Sequence, residues 1–126
     1  MARMRQVAPD EAKGKLKQIY ASMEKKFGMV PNTFQAMGTN PSFLEGMIQL
    51  NRAAGKALDL KTKELIRIAV STVNDCAYCL DAHFAAAKQA GCTDEEISAA
   101  VETAVAMTAF NIFNHGAGCE TDISPE

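Results

Sequence analysis

Residues 64–83 read Glu64-Leu65-Ile66-Arg67-Ile68-Ala69-Val70-Ser71-Thr72-Val73-Asn74-Asp75-Cys76-Ala77-Tyr78-Cys79-Leu80-Asp81-Ala82-His83. Leu65, Ile68, Ala69, Thr72 and Val73 recur at the spacing of a helix that buries one stripe, and Asp59 upstream is placed to cap it. Asn74-Asp75 interrupts the pattern as a turn and a new cap. A second helix then runs from about Cys76 to Ala90, closed by Gly91 where a left-handed residue is wanted. Two helices joined by so short a turn form an antiparallel hairpin, and this hairpin is the centre of the predicted fold.

The same punctuation extends in both directions. Pro9-Asp10 opens a first amphipathic helix whose apolar positions Leu16, Ile19, Tyr20, Met23 and Phe27 stop at Gly28. Pro31-Asn32 and Asn40-Pro41 start two short helices, the first carrying Phe34 and Met37, the second Phe43, Leu44, Met47, Ile48 and Leu50. Beyond the hairpin, Thr93-Asp94-Glu95-Glu96 has the spacing of a capping box. Ile97, Val101, Ala104, Val105, Thr108 and Ile112 follow over about five turns. Residues 114–126 are expected to form a flexible tail. No segment alternates apolar and polar residues in the manner of a strand. The predicted fold is all-α, a single domain of about six helices spanning residues 1–126, with residues 1–27 as an N-terminal helix.

Composition narrows the function classes. The chain has 126 residues, 48% hydrophobic and 22% charged, which is ordinary globular composition and excludes a disordered chain. Fifteen acidic against 13 basic residues leave a net charge of -2, too weak a field to steer nucleic acid or an anionic membrane. No apolar run approaches the roughly 18 residues of a membrane span. Residues 1–10 are polar and lack the apolar core of a signal peptide, so a cytoplasmic, reducing compartment is expected. In that setting four cysteines call for an explanation other than stapling. Alanine-rich faces around Ala85–Ala87 and Ala99–Ala104 fit burial between subunits, and equally fit the high helix propensity of alanine.

The hairpin carries the chemistry. At about 1.5 Å per residue, Cys79 lies roughly 6 Å and His83 roughly 12 Å beyond the turn, with Glu64 about 16 Å back along the first helix. Cys79 and His83 are four residues apart on one face, so an imidazole can approach the sulfur directly or through a water. Glu64, if inward, can hold or deprotonate that imidazole. Cys76 and Cys79 flank a helix start, where the amide dipoles favour a thiolate, and their spacing permits a disulfide. A thiolate with its own base suits attack on a peroxide O–O bond or on a disulfide.

Each residue also has a plainer reading. A CxxC is a common half of a zinc site, with His83 and one of His115, Cys92 or Cys119 to complete it. Glu64 can be a surface acid pairing with Lys61 or Arg67. Tyr78 and Phe84 read as core or pocket wall, Cys92 as a small buried hydrophobe, and His115 as a cation complementing the end of the last helix.

The combination of Glu64, Cys76-Ala-Tyr-Cys79, His83 and a following Ala90-Gly91 resembles the alkylhydroperoxidase D-like branch of the carboxymuconolactone decarboxylase family. Val30-Pro31-Asn32, Asn40-Pro41 and Gly91 to Ile97 are similar to further family segments, so the resemblance covers roughly residues 28–113. It implies an all-helical fold assembled as a homotrimer or homohexamer, with thiol-dependent peroxidase or disulfide reductase activity. It further implies that Cys79 takes the sulfenic acid role, that Cys76 resolves it and exchanges with a partner thiol, and that His83 and Glu64 relay the proton. No bound cofactor is implied. The electron donor would be an external dithiol, in the best understood members a lipoylated protein. Lactone decarboxylases of the same fold lack the cysteine pair. Members that serve a peroxiredoxin carry histidine where this chain has Tyr78, and they contain a duplicated helical unit where this chain has one copy.

Overall fold

Proline, glycine and capping residues cut the chain into helices close to where the sequence places them. The computed structural model describes residues 2–126 and contains six α-helices: α1 (Gly14–Phe27), α2 (Asn32–Met37), α3 (Pro41–Ala53), α4 (Leu60–Val73), α5 (Ala77–Gln89) and α6 (Asp94–Ala117). No strand occurs among the described residues. Asn40 caps α3 by accepting from the Phe43 N–H, and Asp59 caps α4 by accepting from the Thr62 N–H. Thr93 and Glu96 form the expected capping box on α6. Each such cap satisfies amides that the first helical turn leaves without partners.

Two boundaries differ from the expectation. Pro9-Asp10 opens only a three-residue 3-10 turn, Pro9–Glu11, in which the Glu11 carboxylate accepts from the Ala8 N–H, and α1 begins at Gly14. At the other end α6 continues past Asn114 to Ala117. Gly118 closes it at a φ of 64°, with the Cys119 N–H returning to the Asn114 carbonyl at 3.1 Å.

The chain resolves into two compact units, one ending at Lys56 and the other comprising Ala57–Glu126. In the first, Val7, Ala12, Leu16, Tyr20, Met23, Val30 and Leu44 form the core. Tyr20 is its polar pivot: 2% exposed, it donates its hydroxyl proton to the Val7 carbonyl at 3.0 Å, with the Phe34 carbonyl at 3.4 Å. Gly38 lies against that hydroxyl, and a Cβ there would stand 2.2 Å from Tyr20 Oη. Phe27, expected on the buried stripe of α1, is 50% exposed and stacks on Phe34.

The second unit is a three-helix arrangement in which α4 packs against both α5 and α6. Ile68, Ala87, Cys92 and Ile97 form its core, with Leu65, Leu80, Ala100 and Val101 packed around them. Full burial of Ile68 contributes roughly 1.5–3 kcal/mol. Small residues at 87 and 100 leave room for the neighbouring backbones to approach. The expected stripe of α4 holds at Ile68, with Leu65 packed beside it, and departs from the expectation at its end and in its polar members. Val73 is 56% exposed, while Glu64, Ile68 and Ser71 are the residues turned inward.

Candidate functional site

The turn between α4 and α5 delivers sulfur to a helix start. The Cys76 N–H bonds the Ser71 carbonyl at 3.1 Å, and Asp75 occupies the left-handed region at a φ of 53°. This is the Schellman termination with aspartate in the place usually taken by glycine, a conformation that a short polar side chain tolerates. The chain therefore reverses within three residues, and the very next helix starts at Ala77. Cys76 itself is the N-cap of α5, its Sγ accepting from the Cys79 N–H at 3.3 Å. The cap expected at Asn74-Asp75 thus belongs to the cysteine, because Asp75 is consumed in ending α4.

Cys76 and Cys79 occupy the N-cap and N3 positions, the same pair of positions that a capping box uses. Their sulfurs are joined in a disulfide, with Cα atoms 5.3 Å apart. Both residues are partly exposed, so solutes can reach them. On reduction, the amide dipoles at the start of α5 favour the thiolate over the thiol.

One turn further along α5, His83 meets the buried acid of α4. Glu64 is 3% exposed, and a carboxylate so buried requires partners to offset its lost hydration. It has two. Oε2 lies 2.8 Å from His83 Nδ1, and Oε1 accepts a hydrogen bond from Arg67 Nη1. The His83 and Arg67 side chains are 30% and 26% exposed, so the acid sits inside while its two partners reach toward solvent. The structure therefore brings Glu64 and His83 together and sets Cys79 one helical turn from His83 on the same face of α5. Arg67, expected as a surface partner for Glu64, does pair with it, but at a buried acid rather than a surface one. Its signal was present in the three-residue spacing from Glu64, which puts both on one face of a helix. Lys61, the other partner considered, instead bonds Glu96 at 3.0 Å.

The remaining candidates lie elsewhere. Cys92 is 7% exposed in the core of the unit, as expected of a small hydrophobe. Cys119 is free and exposed just beyond α6, and His115 lies in the last turn of that helix. Among the described residues no three His, Cys, Asp or Glu side chains gather in a way that could hold a metal ion. Tyr78 is 47% exposed rather than core, and Phe84 borders an open groove with Ile97 and Val101. A second open and mainly apolar groove of about 360 Å³ runs between α4 and α6, walled by Val70, Val73, Ala104 and Met107. No helix among the described residues is long and apolar enough to cross a membrane.

Comparison with known proteins bears on the family and the fold. Residues 41–119 match the model of the carboxymuconolactone decarboxylase family. An uncharacterized protein 4 in the cox locus of Paracoccus denitrificans is 39% identical over 62 residues, 49% of this chain and 56% of that one. Alkyl hydroperoxide reductase AhpD of Maricaulis maris is 33% identical over 66 residues, 52% of this chain and 38% of that one. The chain thus spans about half the length, or less, of these curated relatives. Among solved structures, the alkylhydroperoxidase AhpD core from Rhodospirillum rubrum superposes with a TM-score of 0.85 at 26% identity, covering 97% of this chain and 95% of that one.

Proposed function

The chain belongs to the carboxymuconolactone decarboxylase family, as an AhpD-like member with an all-helical fold, and from that premise we propose that it is a thiol-dependent alkylhydroperoxidase-like oxidoreductase. The observation that carries this reading is the Cys76–Cys79 disulfide at the start of α5, one turn from a histidine held by a buried glutamate. In the reduced protein His83 takes the thiol proton of Cys79, directly or through a water. The Cys79 thiolate attacks one peroxide oxygen, the O–O bond breaks, and the alkoxide leaves with a proton as the alcohol. Cys79 is then a sulfenic acid. The Cys76 thiolate displaces water from it and forms the disulfide. Two electrons from an external dithiol reopen that bond, with no bound cofactor; a lipoyl-type dithiol fits the exposed, adjacent pair.

The same disulfide favours a second reading, a dithiol–disulfide reductase or adaptor that never meets peroxide. The two separate in one experiment. Consumption of a small organic peroxide with dihydrolipoamide as donor is measured for wild type and for Cys79→Ser. Turnover by wild type and loss in the variant is the expected result. Equal rates refute the assignment, and fast dithiol exchange without peroxide turnover moves it to the reductase.

The exposed Phe110, Ile112 and Phe113 on α6, each 65–69% accessible in the single chain, support a homo-oligomer, trimer or hexamer, which sedimentation would read directly. A reducing cytoplasm is the compartment such a cycle suits.

A further inference from the structure

Resting on the reading of His83 as the base for Cys79, we infer that Arg67 is a positioning residue that locks the His83 imidazole in the tautomer with its proton on Nδ1. Glu64 is almost wholly buried, and its two oxygens are divided between two partners: Oε1 takes a hydrogen from Arg67, Oε2 faces His83 Nδ1. A guanidinium only donates, and it stays charged at every pH relevant to a protein. Paired with it, the Glu64 carboxylate presents both oxygens as acceptors. The contact at Oε2 then has one consistent assignment, with Nδ1 donating its proton to Glu64. Nε2 is left as the ring nitrogen with a free electron pair, the one able to take the Cys79 proton. Without Arg67, Oε1 is a buried acceptor that has lost its donor, and the carboxylate is no longer held with Oε2 toward the ring. Nδ1 then has no fixed acceptor, the ring proton moves to Nε2, and the base is lost.

Lys61, another cation on α4, does not substitute for Arg67, because it is engaged with Glu96 of α6.

The test reads the tautomer itself. Nitrogen-15 NMR distinguishes protonated from unprotonated ring nitrogens, and the protein has two histidines, so His115→Gln assigns the His83 signals. In the neutral ring of wild type, Nδ1 is expected to be the protonated nitrogen. Arg67→Gln is expected to move most of the population to the Nε2-protonated form and to slow iodoacetamide alkylation of reduced Cys79 at least about tenfold, while Arg67→Lys retains the wild-type tautomer and a rate within about threefold. An Nε2-protonated ring in wild type overturns the inference without any Arg67 variant having to fold. An unchanged tautomer and alkylation rate in a folded Arg67→Gln overturn it as well. Neither readout uses peroxide, so a failure of the peroxidase reading is seen separately, as absent turnover in wild type with the tautomer intact.

Discussion

Glu64→Gln is the substitution that most directly asks whether this cluster is an acid–base device. The change is isosteric, so no cavity forms, and its effect comes from hydrogen-bond polarity alone. Glutamine offers one acceptor oxygen and one donating amide in place of two acceptors. Its partners are Arg67, which only donates, and His83 Nδ1. If the amide faced Arg67, two donors would meet at a buried position, at a cost of about 1–3 kcal/mol. The oxygen therefore turns to Arg67 and the amide to His83, so that Nδ1 becomes an acceptor and the ring proton moves to Nε2.

Two magnitudes follow. Stability falls by about 1–2 kcal/mol, because the ion pair with Arg67 becomes a bond from a charged donor to a neutral amide oxygen and the His83 contact survives uncharged with reversed polarity, while the partial exposure of Arg67 and His83 lets water compensate. The loss stays below the roughly 3–5 kcal/mol of a fully buried pair broken on one side. Removing the base from Cys79 slows its reaction by about 10²-fold, the lower range for general base catalysis. Urea unfolding gives the first quantity, with wild type and variant compared at equal slope. Iodoacetamide alkylation of the reduced protein near neutral pH gives the second. A folded Glu64→Gln that alkylates within threefold of wild type would refute the reasoning, since Glu64 would then be structural only.

Two further outcomes are expected from features outside the cluster. Gly38→Ala drives a Cβ to 2.2 Å from Tyr20 Oη and costs about 2–4 kcal/mol through overpacking and loss of the buried hydroxyl's bonds; adding Tyr20→Phe should make the double variant more stable than the sum of the two single losses in urea unfolding, and strict additivity would show that the contact does not matter. Hydrogen bonds from the Thr62 backbone and hydroxyl hold the Asp59 carboxyl below its usual range, and the Thr93 amide followed by Lys61 does the same for Glu96. The unfolded chain therefore binds protons at higher pH than the folded one at both sites. Their stabilisation is complete above the ordinary carboxylate range and is lost as pH falls through and below about 4. Thermal unfolding followed from pH 6 downward should show Asp59→Asn and Glu96→Gln losing less stability than wild type over that window, and parallel curves would count against the assignment.

Most of the architecture was legible because helix ends carry short-range chemistry. Asn40, Asp59 and Thr93 cap where their sequence context places them, since a side-chain oxygen bonding an amide two or three residues on is decided within a few residues. The cysteine pair was legible for the same reason, its three-residue spacing being a local property of a helix start. The polar part of the buried face of α4 was not. Helical periodicity marks Val73 as inward and gives no ground for burying Glu64, because burial of a carboxylate depends on partners that only packing supplies.

By itself, then, the sequence determined six helices, the caps of α3, α4 and α6, a sulfur pair at one helix start and a histidine one turn on, all set by interactions spanning a handful of residues. Only the tertiary structure decided that α5 lies against α4 with His83 at the level of Glu64, and that Arg67 shares that buried carboxylate. The physical reason is the low polarity of the helix interface. A buried charge there is stable only where two elements bring donors to it from both sides, and that is a property of the packed arrangement rather than of any one stretch of chain.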